Sequence, residues 1–324
     1  MPFEIIRQDI TNMKTDVIVN PINSKLQLSD SGVCGSILKK AGIENLQNEY
    51  KTIGNIKTSN AVITNGYDLE CKYIIHTVGP IWNGGKNNES TLLYNTYINC
   101  LNLAKSKNCE SISFPLISSG NFGYPKDEAL EVATSAIKDF LSENDLLIYL
   151  VVFDIKSFKI KKDLFDSITQ YIDDNYVATF KDTRIKQNIN EEPKPIYEFY
   201  CEKSLLDALE NTEDTFSQCL FKLIDESGLT DAQVYKKANI DRRLFSKIRN
   251  NKDYTPSKST ILSLSIALEL DINKTKDLLK KAGFALSHSN KFDIIVEYFI
   301  SNKIYDIYTI NEALFSFEQN ILRT

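Results

Sequence analysis

Between Pro115 and Pro125 the chain reads PLISSGNFGYP. This run of small residues has the β-rich SISF (Ser111 to Phe114) before it and the amphipathic KDEALEVATSAIKDFL after it. Strand, small-residue loop and helix N-terminus, in that order, is a geometry that cradles phosphate on backbone N–H groups. Gly120 and Gly123 allow the backbone to approach a ligand closely, and Phe122 between them is an aromatic able to stack on a sugar or a base. The same letters also describe an ordinary turn between strand and helix, and the choice between the two falls to the segments around them.

From Phe3 to about Tyr176, β-branched runs alternate with helical patterns, which predicts an α/β layer fold. The strand-like runs are Phe3–Arg7, Val17–Pro21, Asn60–Thr64, Tyr73–Val78, Ser111–Pro115 and Leu147–Phe153. DVIVN, YIIHTV and LLIYLVVF are apolar without alternation, as in strands covered on both faces. From 179 to 200 the chain turns polar and carries Pro193 and Pro195, which reads as a linker. Beyond it, through 201–324, every pattern is helical, including a run at Ser204–Asn211.

With 324 residues there is length for two cores, and a net charge of −5 points to no global attraction for nucleic acid or membranes. The chain opens directly on the strand-like FEII and holds no long apolar run, so neither a leader nor a membrane span is expected. Six scattered cysteines without a C-x-x-C, beside only two histidines, fit free thiols in a reducing cytoplasm. They give no disulfide framework and no metal site, and nothing in the composition asks for a cofactor.

Five landmarks occur in order: DIT (Asp9 to Thr11), DVIVNPIN (Asp16 to Asn23), SGVCGSILKKAG (Ser31 to Gly42), HTVGP (His76 to Pro80) and ISSGNFGYP. Together they resemble the macrodomain family over residues 1–178. The resemblance implies a three-layer α/β/α fold with a mixed central sheet, and binding of ADP-ribose or an ADP-ribosylated macromolecule. It also implies the ligand-binding residues. Asp9, with Ile10 beside it, meets the adenine amino group, although a turn or cap role suits Asp9 as well. Gly32, Val33, Cys34 and Gly35 open a helix whose amides hold one phosphate, and Ser118, Ser119, Gly120, Asn121 and Phe122 hold the other. Phe122 covers the distal ribose, and Phe153 either stacks on adenine or belongs to the core. His76 reads as a buried strand-end histidine.

Chemistry centres on Asn23. Its counterpart in hydrolysing members of the family orients the distal ribose or a water near the anomeric carbon. An amide positions but does not act as a general base. Such members often carry an aspartate in a GVDG loop, where this chain has Cys34 in GVCG; the residues ahead of it are Ser29, Asp30 and Ser31, with Asp30 a shifted carboxylate. Both an ADP-ribosyl hydrolase and a non-catalytic nucleotide sensor fit these letters.

Residues 215–270 resemble a phage-repressor-like helix-turn-helix domain. Its apolar stripes fall at Leu220, Leu223 and Ile224, at Val234 and Ala238, at Leu244, Phe245 and Ile248, and at Ile261, Leu264 and Leu268. From Lys236 to Lys258 eight basic residues stand against Asp241 and Asp253, a net of +6. That is where phosphate contacts would be needed, with Arg242, Arg243, Ser246, Lys247, Arg249 and Asn250 as the nucleic-acid-binding side chains. A solvated face or a protein-binding surface accounts for the same charges. The resemblance also implies pairing as a homodimer.

Overall fold

The computed structural model describes residues 2–26, 31–155, 158–186, 215–251 and 254–322, with the backbone alone over 176–186. Ser29 and Asp30, the expected helix 204–211, most of the expected linker, Cys201 and Lys252 lie outside the described residues. The chain divides into two compact units. One runs up to Lys162 and takes in Asn239–Asp241 and the described residues from Asn311; the other holds the described residues of Asp163–Ala238 and Arg242–Ile310.

In the first unit six strands form one sheet: β1 (Phe3–Arg7), β2 (Val17–Pro21), β3 (Ala61–Asn65), β4 (Tyr73–Thr77), β5 (Ser111–Phe114) and β6 (Leu147–Val152). Their order is β1-β6-β5-β2-β4-β3. All pairs are parallel except β3 with β4, so the sheet is mixed. Val17, Ile18 and Val19 are fully buried, which is why β2 shows no polar alternation. Ile18 and Ile74 pack against Ile37 and Leu38 of α1 (Gly32–Ala41) and Leu46 of α2 (Ile43–Ile53). Two longer helices, α3 (Glu89–Ser106) and α4 (Lys126–Glu143), pack against each other, and α3 also touches β3 and β4.

One element is new relative to the sequence reading, a 3-10 helix at Ile10–Asn12. It exists because Asp9 Oδ1 accepts from the Thr11 amide at 2.9 Å and from the Thr11 hydroxyl at 2.9 Å. A short acidic side chain competing for nearby backbone donors turns the chain as soon as β1 ends.

His76 is wholly buried on β4. Its Nδ1 lies 3.1 Å from Asn20 Nδ2 and 3.0 Å from the Tyr50 hydroxyl, and its Nε2 lies 2.9 Å from Thr64 Oγ1. The Thr64 hydroxyl donates to the Asn65 carbonyl, so it accepts from Nε2–H and leaves Nδ1 as the acceptor. This is a neutral imidazole, and burial lowers its pKa to about 3. Burial also pushes the Cys71 thiol up to about 11 and that of Cys100 up to about 12, as befits unreactive structural cysteines.

The second unit is helical: α5 (Lys162–Lys186), α6 (Phe216–Ser227), α7 (Asp231–Lys237), α8 (Arg242–Asn250), α9 (Lys258–Ala267), α10 (Ile272–Lys281) and α11 (Lys291–Ser301); α12 (Ile307–Ser316) follows, its residues from Asn311 counted with the first unit. Helix α5 continues past 178, where a linker was expected, because no glycine or proline interrupts the sequence before Lys186. Thr215 and Thr230 each form a capping box, with Gln218 and Gln233 respectively, and Gly228 closes α6 in the left-handed conformation. Of the expected stripes, Leu220, Ile224, Val234, Ala238, Phe245, Ile248, Ile261, Leu264 and Leu268 are buried, while Leu223 and Leu244 are only partly so. Among the described residues no helix is long and apolar enough to cross a membrane.

Because the unfolded chain takes up a proton on His76 below about pH 6.5 and the folded one only near pH 3, the folded state loses stability as pH falls through that window. Urea unfolding of the full chain is expected to show the wild type losing about 1.4 kcal/mol more per pH unit than His76→Gln between pH 6 and pH 4. Parallel slopes for the two proteins would contradict a neutral, solvent-excluded imidazole.

Candidate functional site

Strands β2 and β5 are parallel neighbours, yet the chain leaves them toward opposite halves of the sheet, from β2 to β3 and then β4, and from β5 to β6. A crevice opens at the carboxyl ends of strands where the direction of travel reverses. There the structure has a cleft of about 380 Å³, walled by the ends of β2, β5 and β6 and by the first turn of α1.

The wall from α1 begins at Ser31, an extended N-cap residue, followed by Gly32 at φ +66. That left-handed backbone favours glycine and turns the first-turn amides of Gly32 and Val33 to the end of the helix that lines the cleft. The Gly35 amide is already committed, donating to Ser31 O at 3.2 Å, and Gly35 is not among the lining residues. Cys34 is nine-tenths buried, forming part of both the cleft wall and the apolar cluster beneath it.

The opposite wall is the loop from Pro115 to Phe122, and its shape is held by buried groups. The Tyr97 hydroxyl accepts from the Ile117 amide at 3.0 Å and donates to Pro115 O at 3.4 Å. Ser119 Oγ donates to Leu116 O at 2.8 Å, the Gly123 amide donates to Gly120 O, and the Tyr124 amide to Ser118 O. Trp82 fixes the far end, donating its amide to Phe122 O at 2.8 Å while its ring rests on Tyr124 at 4.5 Å. Gly79 makes this approach possible, because a Cβ there would stand 2.2 Å from Ser118 Oγ. Ser118 itself has φ +65, is 7% exposed, and its hydroxyl has no hydrogen-bond partner among the described residues. Gly120 faces open space, with nothing within 4 Å of where a Cβ would be.

Asn23, Gly32, Val33, Cys34, Ser118, Ser119, Gly120, Asn121, Phe122 and Phe153 therefore converge on one cleft. Phe153 follows β6 and is 75% exposed, a side chain on the rim and not a core residue. Asn23 Oδ1 accepts from the Lys25 amide at 3.1 Å, which fixes the orientation of its amide group. Asp9 and Ile10 are not among the lining residues. Asp9 caps the 3-10 turn, and Ile10 packs in the core with Ile18 and Val151. The apolar floor, Ile22, Leu116, Val151 and Val152, escaped the sequence reading because strand-end residues in an apolar run look like any other core positions. No described lining residue carries a charge.

On the helical unit, Arg242, Arg243, Ser246, Lys247, Arg249 and Asn250 all lie on the exposed face of α8, opposite Phe245 and Ile248. Arg249 pairs with Asp231 at 2.7 Å and lies over the Phe221 ring, and Lys247 lies over Tyr254.

The family model of the Macro domain matches residues 19–133. A macro domain-containing protein of Methanosarcina mazei is 44% identical over 163 residues, spanning 49% of this chain and 86% of that protein. An O-acetyl-ADP-ribose deacetylase of an Enterobacter species is 41% identical over 157 residues, 47% of this chain and 86% of that protein. Among solved structures, the Oceanobacillus iheyensis macrodomain with ADP is 41% identical and covers 48% of this chain and 85% of its own, with a TM-score of 0.44. The Trypanosoma brucei macrodomain in complex with ADP-ribose is 30% identical, covering 48% of this chain and 65% of its own, with a TM-score of 0.44. With the six-stranded mixed sheet and the match to relatives over most of their length, this chain belongs to the macro domain family.

Proposed function

We propose that the cleft of the first unit binds ADP-ribose, free or attached to a macromolecule. The observation that carries this reading is the pair of backbone walls facing one cavity, the first turn of α1 and the Ser118–Phe122 loop, with Phe122 and Phe153 beside them. Each wall offers N–H groups and small side chains suited to one phosphate of a diphosphate. The rim aromatics suit the ribose and adenine ends. The unpartnered Ser118 hydroxyl supports a polar ligand over an apolar one, since a buried hydroxyl without a partner is costly until something fills the space.

A second reading, hydrolysis of the bond at the distal ribose, is supported by Asn23 on the cleft wall and by relatives that are deacetylases of O-acetyl-ADP-ribose. The described lining has no carboxylate and no imidazole to act as general base, and by the sequence resemblance Cys34 stands where hydrolysing members carry the loop aspartate. In this reading Asn23 orients the ribose and its water, and the ligand's own phosphate assists in activating that water. Without hydrolysis, the module is a nucleotide sensor. The helical unit then docks the protein on DNA or a protein partner through the exposed face of α8.

Calorimetry is expected to give a drop on the order of 100-fold or more in ADP-ribose affinity for Gly120→Glu, because a carboxylate would enter the phosphate path. Unchanged affinity would remove the loop from the site. Release of ADP-ribose from O-acetyl-ADP-ribose, modified protein and modified DNA is expected to fall by about 10- to 100-fold in Asn23→Ala under the hydrolytic reading. Absence of release by the wild type, with binding retained, leaves the sensor. For the helical unit, Arg242→Ala combined with Arg243→Ala should weaken DNA binding and reduce the slope of log affinity against log salt by about two. Indifference to both changes would favour a protein partner.

A further inference from the structure

Among the described residues of the first unit, Ile81 is the large apolar side chain left exposed outside the cleft, at 59%. Its loop, GPIWNGGKNN from Gly79 to Asn88, is rigidly built. Glu89, 2% exposed at the start of α3, accepts from the Asn83 amide at 3.0 Å and from the Asn87 amide at 2.6 Å. Burial alone would raise the pKa of this carboxyl, but these backbone donors outweigh it and hold the pKa below the usual value. At the other end, Trp82 is fixed to the cleft by the hydrogen bond its amide donates to Phe122 O and by its ring on Tyr124. Ile81 is thus an exposed apolar side chain on an ordered loop, one residue from the anchor of a cleft wall.

We infer that Ile81 is a specificity residue that contacts the polypeptide carrying the ADP-ribose, just outside the cleft at its Phe122 end. The inference rests on the proposed binding of ADP-ribose with the distal ribose toward Phe122. Whatever is attached to that ribose must leave the cleft past Phe122, and the Trp82–Phe122 hydrogen bond puts Ile81 beside that exit. The chemistry of the loop selects a protein carrier over a nucleic acid. Its exposed apolar side chain suits apolar residues flanking the modified position, while Lys86 is its single charged side chain, far short of the cation density that tracks a phosphate backbone. The loop is pre-organised, so little conformational entropy is lost when the carrier docks on it.

The test compares, on the full chain, the affinity for free ADP-ribose with that for a peptide ADP-ribosylated at a glutamate flanked by apolar residues. The wild type is expected to bind the modified peptide about tenfold more tightly than free ADP-ribose. Ile81→Asp is expected to abolish that margin and leave free ADP-ribose affinity unchanged. Glu89→Gln, which leaves Ile81 intact but weakens the acceptor that holds the loop, should reduce the margin in the same direction. A margin that survives Ile81→Asp, or a wild type that shows none, overturns the inference while the binding reading stands. An Ile81-dependent margin for an ADP-ribosylated oligonucleotide in place of the peptide overturns it too. Failure of the wild type to bind free ADP-ribose would instead remove the reading on which it rests.

Discussion

The hydroxyl of Tyr97 holds the loop that leaves β5. It is fully buried, and it satisfies two backbone groups of that loop, the Pro115 carbonyl and the Ile117 amide, that no strand or helix could reach. A buried backbone group without a partner is expensive, so the position of this oxygen dictates where the chain turns. Ser118 can then adopt φ +65, Gly79 can sit against it without a Cβ, and the residues beyond it line the same cleft as the first turn of α1. If the α3–β5 packing moved this hydroxyl by an ångström, the two walls of the cleft would no longer be in register. The cleft is thus a consequence of core geometry more than of the residues that line it.

Much of this was legible in the letters because the local signals agreed with one another. Apolar runs without alternation marked strands covered on both faces, and all six strands form within a residue of the expected bounds. Small residues after β5 and at the start of α1 marked the two backbone walls, and the net charge of the Lys236–Lys258 stretch marked the exposed face of α8. What stayed hidden shares one cause. Trp82 and Tyr97 act on backbone atoms distant in sequence, Gly79 makes room for the distant Ser118 side chain, and nothing in their neighbours along the chain reveals such a partner. Asp9 shows the opposite case: a residue with two readings, for which the local competition for a backbone amide explains its observed bonds.

The buried polar set around His76 and the cleft also share an element. Asn20 lies on β2, three residues before Asn23, and its side chain is directed to the imidazole on β4. The strand that leads into the proposed positioning amide is thereby tied to its neighbour by side chains as well as by the ladder. Polar groups in such a place tend to fix one packing arrangement, since few alternatives would satisfy them. The Asn20 side-chain carbonyl oxygen, without a partner among the described residues, is an exception within that network.

The lack of charge on the described cleft lining bears on how a ligand arrives. Anions are commonly drawn to binding sites by a converging field, which raises encounter rates and draws in other polyanions as well. A wall of peptide dipoles acts only over a few ångströms. A diphosphate reaching this cleft would therefore come by unassisted diffusion and be recognised on contact, and abundant anions of the wrong shape would not be concentrated at its mouth. Such a site gives up speed of capture and gains freedom from competition by the common phosphates around it.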